Sequence, residues 1–286
     1  MVTLSIQLYS IREALSQNPI QAIEKLLAIG FRHLEPANSR GHEDPGIGGG
    51  IPAAKLMEVL APYGARLSSA HMGPLTMQTI PTIAAYHQQV GNANIVEAIQ
   101  FFTGYDMLMR RCEEYNQIGK YLVERGQNPL LYHNHYHEYQ LLGGKPILYH
   151  ILENTDPAYL QLEMDTGWVM RAGRDPVAEM TYAASRLRLI HIKDFSHTPV
   201  NLLIGKEDAF ISWETFGANH QAGDVMKSEN FVELGTGIMP IQEILDTANA
   251  LNVAYAVLEQ DDSAIDIFEH LRGSYANARR FRGLAV

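Results

Sequence analysis

Short runs of apolar residues alternate along the chain with longer segments in which apolar residues recur at helical spacing. The first such pair is LSIQLYS followed by PIQAIEKLLAIG. Further strand-like runs complete a series at Leu4–Tyr9, His33–Pro36, Leu67–His71, Asn94–Phe101, Leu130–His135, Leu160–Asp165, Leu187–Lys193 and Ala254–Gln260. The pattern predicts eight consecutive βα units.

The segments between these runs are amphipathic and predict helices. They lie around Ile20–Ile29, Ala53–Ala61, Ile80–Val90, Met107–Glu124, Pro146–Asn154, Pro176–Ala184, Ile241–Leu251 and Ser263–Phe281. Several end at a glycine, where a left-handed residue commonly closes a helix, namely at Gly30, Gly64, Gly91 and Gly126. Units of roughly thirty residues are typical of parallel strands joined by crossover helices.

The distribution of glycine favours a closed barrel over a doubly wound sheet. The GIGGG run at Gly46–Gly50 follows the second strand rather than the first, and it lacks the G-x-G-x-x-G spacing. We interpret it as a flexible active-site loop rather than a phosphate cradle. Residues 1–286 are therefore predicted to form a single (β/α)8 TIM barrel of the α/β class, with a long lid or binding loop at about 195–240.

Composition and charge exclude several classes of partner. Lys and Arg total 22 against 32 Asp and Glu, and the resulting net charge of -10 opposes binding to nucleic acid. Cys112 is the single cysteine and cannot form an intramolecular disulfide. No leader-like N-terminus and no apolar stretch of membrane-spanning length is present. We expect a cytoplasmic protein with no nucleic-acid or membrane partner.

Ionisable residues stand at the ends of the strand-like runs, which converge on one mouth of a barrel. They are Glu35, His71, the run His133–Glu138, Asp165, His191 with Lys193, and Glu259. Three buried ionisable groups at successive strand ends are costly unless they are paired or bound to metal. Asp165, His191 and Glu259 are thus interpreted as metal ligands, and a structural ion network is the alternative.

Lys193 lies two residues beyond His191, so in a strand both side chains point to the same side. Lys193 is therefore a candidate to bind an oxyanion or an enolate oxygen. The alternative is a structural ion pair with Asp194 or another carboxylate. For His71 and Glu35 a structural role competes equally with a functional one.

Five motifs carry a resemblance that runs the whole length of the chain: IQLYSIRE, YHNHYHEY, LEMDTGWVMRAGRDP, IHIKDF and VLEQDDS. The chain resembles the xylose isomerase-like TIM barrels of the sugar phosphate isomerase/epimerase family, and within them a YHNH subgroup. That superfamily also includes ketose 3-epimerases, inosose dehydratases and endonuclease IV. The resemblance implies a small-molecule sugar or polyol-derived substrate and a homodimer or homotetramer.

The resemblance also implies one divalent metal, whether Mn, Co, Zn, Fe or Mg, held by residues of the fifth to eighth strands. Three of the family's ligands match Asp165, His191 and Glu259. The first family ligand, a Glu, is replaced here by YHNH, so His133 is predicted to take its place, with His135 or Glu138 as alternatives. Residues predicted to contact the substrate are Tyr9, Glu35, His71 and Trp168, the last of which stands where the epimerases have a histidine.

The missing carboxylate bears on the reaction, because the epimerases use two carboxylates on opposite faces of the substrate. Here Glu259 is predicted to be one base, and His135 or Glu138 the second acid or base. The sequence therefore predicts a metal-dependent isomerase or epimerase that removes a proton next to a carbonyl group. A lyase or dehydratase of the inosose or 3-keto-glycoside type is the alternative, followed by an endonuclease IV-like phosphodiesterase and a non-catalytic sugar-binding barrel.

Overall fold

Parallel strands form a barrel in the structure, a computed structural model that describes residues 1–203, 210–221 and 227–286. The barrel strands are β1 (Val2–Gln7), β2 (His33–Glu35 and Ala37–Asn38), β3 (Arg66–Leu67 and Ala70–Met72), β4 (Ile95–Glu97), β5 (Leu130–His133), β6 (Leu160–Asp165), β7 (Leu187–Ile192) and β8 (Tyr255–Leu258). Each pairs in parallel with its neighbour in the chain, and β8 pairs with β1. The predicted (β/α)8 fold is confirmed.

Strands β2 and β3 are each divided into two segments. Pro36, which has no amide hydrogen, separates the segments of β2, and Ser68 with Ser69 separates those of β3. The first segments pair with each other and so do the second ones, as Leu34 with Leu67 and Ala37 with His71. The ring of strand pairing therefore continues through the interruption.

Helices cover the outer surface of the barrel. They are α1 (Arg12–Gln17), α2 (Pro19–Ile29), α3 (Ala53–Leu60), α4 (Ile80–Gln89), α5 (Tyr105–Val123), α6 (Ile147–Glu153), α7 (Thr166–Arg171), α8 (Pro176–Tyr182), α9 (Trp213–Gln221), α10 (Ile241–Ala250) and α11 (Ile267–Ala278). None of these helices is long and apolar enough to span a membrane. The four glycines predicted to end helices all have positive φ angles, which confirms that prediction.

The main apolar core lies between the strands and the helices. It contains residues from Val2 to Leu284 in one cluster, and this continuity supports the predicted single domain, which stays a prediction. Inside the barrel lies a small second cluster formed by Val96, Leu131 and Leu189. Two residues further along β5 and β7, on the same face of each strand, come His133 and His191. The ionisable side chains at the strand ends thus lie next to an apolar layer inside the barrel.

The segment predicted as a long loop at 195–240 contains regular elements. Asp194–Phe195 pairs antiparallel with Phe231–Val232, and α9 carries Phe216 onto the ring of Tyr136, with a centroid distance of 5.1 Å and an interplanar angle of 6°. The sequence pattern missed α9 because its apolar residues do not form a continuous stripe. Residues 204–209 and 222–226 of the predicted loop lie outside the described residues. Its role in binding stays a prediction.

Gly119 allows α5 to approach the chain just before β6. A Cβ atom at this position would lie 1.9 Å from the carbonyl oxygen of Tyr159, whereas a Cβ at Gly217 of α9 meets nothing within 4 Å. We therefore expect Gly119→Ala to lower the free energy of unfolding by about 1–3 kcal/mol, because the backbone must move to remove the clash. Gly217→Ala should be neutral or stabilise by up to about 1 kcal/mol. Urea unfolding of both variants tests this, and equal stabilities would contradict it.

Candidate active site

His133, the last residue of β5, has one ring nitrogen fixed and the other open. Its Nδ1 donates a hydrogen bond to the carbonyl oxygen of Ala98 over 3.2 Å. Its Nε2 therefore carries the lone pair. This atom is buried, has no hydrogen-bond partner among the described residues and lies 3.5 Å from Oδ2 of Asp165. A buried nitrogen with a free lone pair facing a carboxylate is a typical metal ligand.

Asp165 ends β6 and is held on two sides. Its Oδ1 accepts the backbone amide hydrogen of Trp168 over 2.8 Å and so caps the N-terminus of α7. The side chain of Asn134 aligns β5 with β6, because its Oδ1 accepts the amide hydrogen of Asp165 over 3.1 Å. The second carboxylate oxygen, Oδ2, is left pointing at His133 and His191, with His191 Nδ1 at 3.8 Å.

His191 and Glu259 complete the group from β7 and the end of β8. The Nδ1 atom of His191 lies 3.2 Å from Oε2 of Glu259. The ligand atoms of His133, Asp165, His191 and Glu259 all lie within 4.8 Å of one another. The structure therefore brings together the four residues predicted as metal ligands, while His135 and Glu138, the alternatives to His133, lie with His137 in a separate group of possible ligand atoms.

The spacing of these atoms fits a metal ion. Nitrogen and oxygen ligands about 2.0–2.1 Å from a tetrahedral ion are about 3.3 Å from one another. The measured separations in the group are 3.2, 3.5 and 3.8 Å. The two longer separations exceed the usual hydrogen-bond distance, and the Nε2 of His133 points into the same space. The donor set of two imidazoles and two carboxylates suits Zn, Mn, Fe or Co.

Lys193 is the positive charge beside this group. Its Nζ lies 3.0 Å from Asp165, 2.7 Å from Glu259 and 2.8 Å from Asp261. The side chain is fully buried, and it is oriented to the same side of the strand as His191, as the alternation of β7 predicts. The ammonium group thus compensates the carboxylates in the absence of water.

Charge pairing sets the protonation of these groups. Burial by itself would raise the pKa of Asp165 and of Glu259, but Lys193 and the neighbouring imidazoles hold both well below the usual range. Burial would lower the pKa of Lys193, yet the three carboxylates around it raise it instead. Both ligand carboxylates are therefore ionised and Lys193 is protonated at neutral pH.

A second group lies directly beneath the first, on the other side of His191. It comprises Glu35, His71, Glu163 and His191, all buried. His191 Nε2 donates to Glu35 over 2.7 Å, and His71 Nε2 contacts Glu163 over 2.6 Å. Both Glu35 and His71 were predicted to bind substrate, but the structure places Glu35 completely out of solvent with its oxygens occupied by protein donors.

His135 and an aromatic wall border the candidate metal group on the side of the mouth. The His135 ring is half-buried, 4.9 Å from the His133 ring and 5.4 Å from that of Trp168, and its Nδ1 has no hydrogen-bond partner. Burial, followed by the neighbouring His133 and His137, holds the pKa of His135 well below 6.5. Trp168 also lies 5.2 Å from Lys193 Nζ, and Phe216 covers the wall.

The two remaining predicted residues lie further away. Both oxygens of Glu138 are engaged, by the hydroxyl of Tyr132 over 2.9 Å and by the amide hydrogen of His135 over 2.8 Å. The structure therefore does not bring Glu138 to the candidate metal group. Tyr9 follows β1 at the rim, where 41% of its surface is exposed and the guanidinium group of Arg12 stacks on its ring.

Sequence reasoning missed Asp261 and Glu163. Asp261 lies in the EQDDS run just after β8, where nothing distinguished it from its acidic neighbours. Glu163 lies two residues before Asp165, on the same face of β6, so strand alternation was the signal that would have found it.

Solved structures share this architecture over nearly the whole chain. A sugar phosphate isomerase/epimerase from Parabacteroides distasonis superposes with a TM-score of 0.74 and 22% identity, covering 97% of this chain and 93% of that one. A probable 3-DHS dehydratase from Bacillus anthracis gives 0.69 and 13% over 98% and 100%, and an L-ribulose 3-epimerase gives 0.63 and 12% over 97% and 93%. The chain has the fold of the xylose isomerase-like TIM barrels. The predicted resemblance is thus confirmed for the fold, while the YHNH subgroup stays a prediction.

Sequence relatives of this TIM barrel are inosose dehydratases, matched over part of their length. The enzyme of Geobacillus thermodenitrificans is 25% identical over 163 residues, which are 54% of this chain and 48% of the relative. That of Mesomycoplasma hyopneumoniae strain 7448 is 34% identical over 112 residues, 38% of this chain and 35% of the relative. The matches thus span half or less of these relatives. No protein-family model matches the chain.

Lys193 should be essential for the stability of the metal-free barrel. Removing it by Lys193→Met leaves Asp165, Glu259 and Asp261 buried without their cation, so we expect a loss of about 3–5 kcal/mol at pH 7. The loss should shrink as the pH falls below about 4, because the carboxylates of the unfolded chain and of the folded variant then take up protons, while Asp165 and Glu259 of the folded parent stay ionised beside Lys193.

Chemical unfolding in the presence of a chelator measures this effect. Lys55→Met is the control, since Lys55 forms an exposed pair with Glu58 on α3, and it should change stability by less than about 0.5 kcal/mol. Equal stabilities of the two variants at pH 7 would contradict the compensating role of Lys193.

Proposed function

We propose that this protein is a divalent-metal-dependent lyase that eliminates water or an alcohol from a keto-sugar or inosose, starting with proton removal next to the carbonyl group. The observation that carries the proposal is the position of the His135 imidazole, whose ring lies 4.9 Å from that of His133 at the candidate metal group and whose low pKa keeps it neutral. Glu259 is engaged by Lys193 and His191, and Glu138 is bound to β5 and its turn.

His133, Asp165, His191 and Glu259 are the residues that would hold the metal. A divalent ion supplies Lewis-acid polarisation of a carbonyl oxygen, which lowers the cost of forming an enolate. The remaining chemistry belongs to side chains of this chain.

Proton transfer is assigned to His135. Because its low pKa keeps the imidazole neutral, it can accept the proton from the carbon next to the carbonyl group. The imidazolium so formed can donate that same proton to the departing hydroxyl or glycosidic oxygen on the next carbon. The C–H and C–O bonds break, a C=C bond forms, and water or an alcohol leaves. One acid/base group is sufficient for this sequence.

We assign to Lys193 the stabilisation of the negative charge that develops on the enolate oxygen of the substrate. Its ammonium group remains protonated between Asp165 and Glu259, beside the aromatic wall formed by Trp168. A fixed positive charge in a dry site stabilises an enolate oxygen more than it does in water. Lys193, Trp168 and Phe216 are all buried, which favours a site of low dielectric constant.

A sugar isomerase or epimerase is the second candidate. It is favoured by the full-length likeness to the sugar phosphate isomerase/epimerase of Parabacteroides distasonis. Epimerisation needs proton return on the opposite face of the substrate, which would fall to Glu259. The inosose dehydratase relatives support the elimination instead. Both candidates share the metal and proton removal next to a carbonyl group.

The two candidates differ in their products. We expect inososes or 3-keto-glycosides to lose water or an alcohol, as measured by mass spectrometry and by the ultraviolet absorbance of the conjugated product. Ketoses incubated in deuterated water that gain deuterium without losing water would instead establish the epimerase. Chelation should lower either activity at least about 100-fold, and added Mn²⁺ or Zn²⁺ should restore it. Full activity in protein shown to be metal-free would overturn the proposal.

His135→Asn should lower kcat by about 10²–10⁴-fold while metal affinity stays within about threefold, because the imidazole transfers the proton but is not in the candidate metal group. The control is His42→Asn at an exposed histidine, which should leave kcat unchanged. A kcat of His135→Asn within threefold of the parent would exclude this imidazole as the acid/base group.

A further inference from the structure

Glu35 stands behind His191, on the side away from the candidate metal group. Its Oε1 accepts hydrogen bonds from His191 Nε2 and from Gln7 Nε2, each over 2.7 Å, and its Oε2 accepts one from the hydroxyl of Ser69. These donors come from β1, the break in β3 and β7. Glu35 is therefore a fully occupied carboxylate, fixed by the barrel wall.

Glu35 also belongs to a compact group with His71, Glu163 and His191. Such a group of carboxylates and imidazoles could in principle hold a second metal ion. Two of their contacts, at 2.6 and 2.7 Å, are direct hydrogen bonds and leave no room for an ion between the atoms. In the group above, the separations are 3.2 to 3.8 Å. The lower group is thus closed by direct hydrogen bonds, whereas in the upper group His133 Nε2 lies 3.5 Å and His191 Nδ1 3.8 Å from Asp165 Oδ2.

We infer that Glu35 is a positioning residue that holds the imidazole of His191 through its Nε2–H, so that Nδ1 is the ring atom that faces Asp165 and Glu259 and would be available to a bound metal ion. This inference rests on the proposed function, because it assigns His191 as a ligand. A carboxylate on the outer nitrogen of a ligating histidine fixes the ring orientation and raises its basicity. The role differs from the predicted substrate contact, and it accounts for the complete burial of Glu35.

Glu163 provides a matched comparison. It is a buried glutamate in the same group, but it contacts His71 at 2.6 Å and lies 3.6 Å from His191 Nε2, beyond hydrogen-bond distance. In Glu35→Gln, an amide NH2 replaces one acceptor oxygen, so that one of its three donors loses its partner. Glu163 also shares a hydrogen bond with Glu35, and burial together with Glu35 raises its pKa, so Glu163→Gln replaces a neutral carboxyl group by an amide of the same shape and keeps the contact between Glu35 and His191.

The first measurement is metal affinity, by calorimetric titration of the metal-free proteins with Zn²⁺. We expect Glu35→Gln to bind 10–100-fold more weakly than the parent, the range typical for loss of such a carboxylate. Glu163→Gln should stay within threefold. Equal losses in the two variants, or none in Glu35→Gln, would overturn the inference.

The second measurement is the side-chain N–H signal of His191 in ¹⁵N-labelled protein, with and without Zn²⁺, assigned by its absence in His191→Asn. The Nε2–H proton should resonate downfield in the parent and in Glu163→Gln, and move upfield or vanish in Glu35→Gln. If Glu35→Gln does not fold, Ser69→Ala, which removes one donor to Glu35, should shift the same signal. An unmoved signal would refute the contact.

The two measurements separate the inference from the function on which it rests. A parent protein that binds no divalent ion would overturn the proposed function, and with it the role of Glu35 toward a ligand. A parent that binds Zn²⁺ and a Glu35→Gln variant that binds it equally well would leave the function standing and refute Glu35 as the positioning residue.

Discussion

The buried ammonium group of Lys193 is the interaction on which the rest of the site depends. Carboxylates from three positions, Asp165, Glu259 and Asp261, lie within 3.0 Å of it in a region closed to solvent. Ionised groups are expensive to remove from water, and several like charges at one end of a barrel would repel one another. Because Lys193 lies two residues after His191, at the end of β7, one segment supplies both a candidate metal ligand and the charge that allows the neighbouring carboxylates to stay ionised.

Much of this arrangement could be predicted from the sequence because the ionisable residues stand at the carboxyl ends of the strands. Parallel strands bring their carboxyl ends to one edge, so Asp165, His191 and Glu259 were expected to converge, as they do. His133 followed only from a gap in a family pattern, and a tertiary contact to the carbonyl oxygen of Ala98 decides its orientation. No local pattern in the sequence encodes such a contact.

The sequence was less informative about how deep each side chain lies within the barrel. A strand-end position does not say whether a side chain faces the mouth or the barrel axis beneath it, and Glu35 lies beneath. Glu138 was placed near the ligands by its position in YHNHYHEY, but a short 3-10 turn at His137–Tyr139 directs it back to β5. The segment after β7 was expected to be irregular, and α9 there places Phe216 over the aromatic wall. In each case a packing contact distant in sequence determines the outcome.

Asn134 has a consequence for how this barrel can vary. Its amide accepts the backbone hydrogen of Asp165 and donates to the Asp165 carbonyl oxygen, so it imitates a peptide group and adds one rung to the β5–β6 ladder beyond the end of β5. The residues on either side of it, His133 and His135, are thereby held at fixed positions by a side chain that takes no part in ligation. The ligand and acid/base roles proposed for these two positions are thus separable from strand pairing, and we expect that both side chains can be exchanged without altering the register of the barrel.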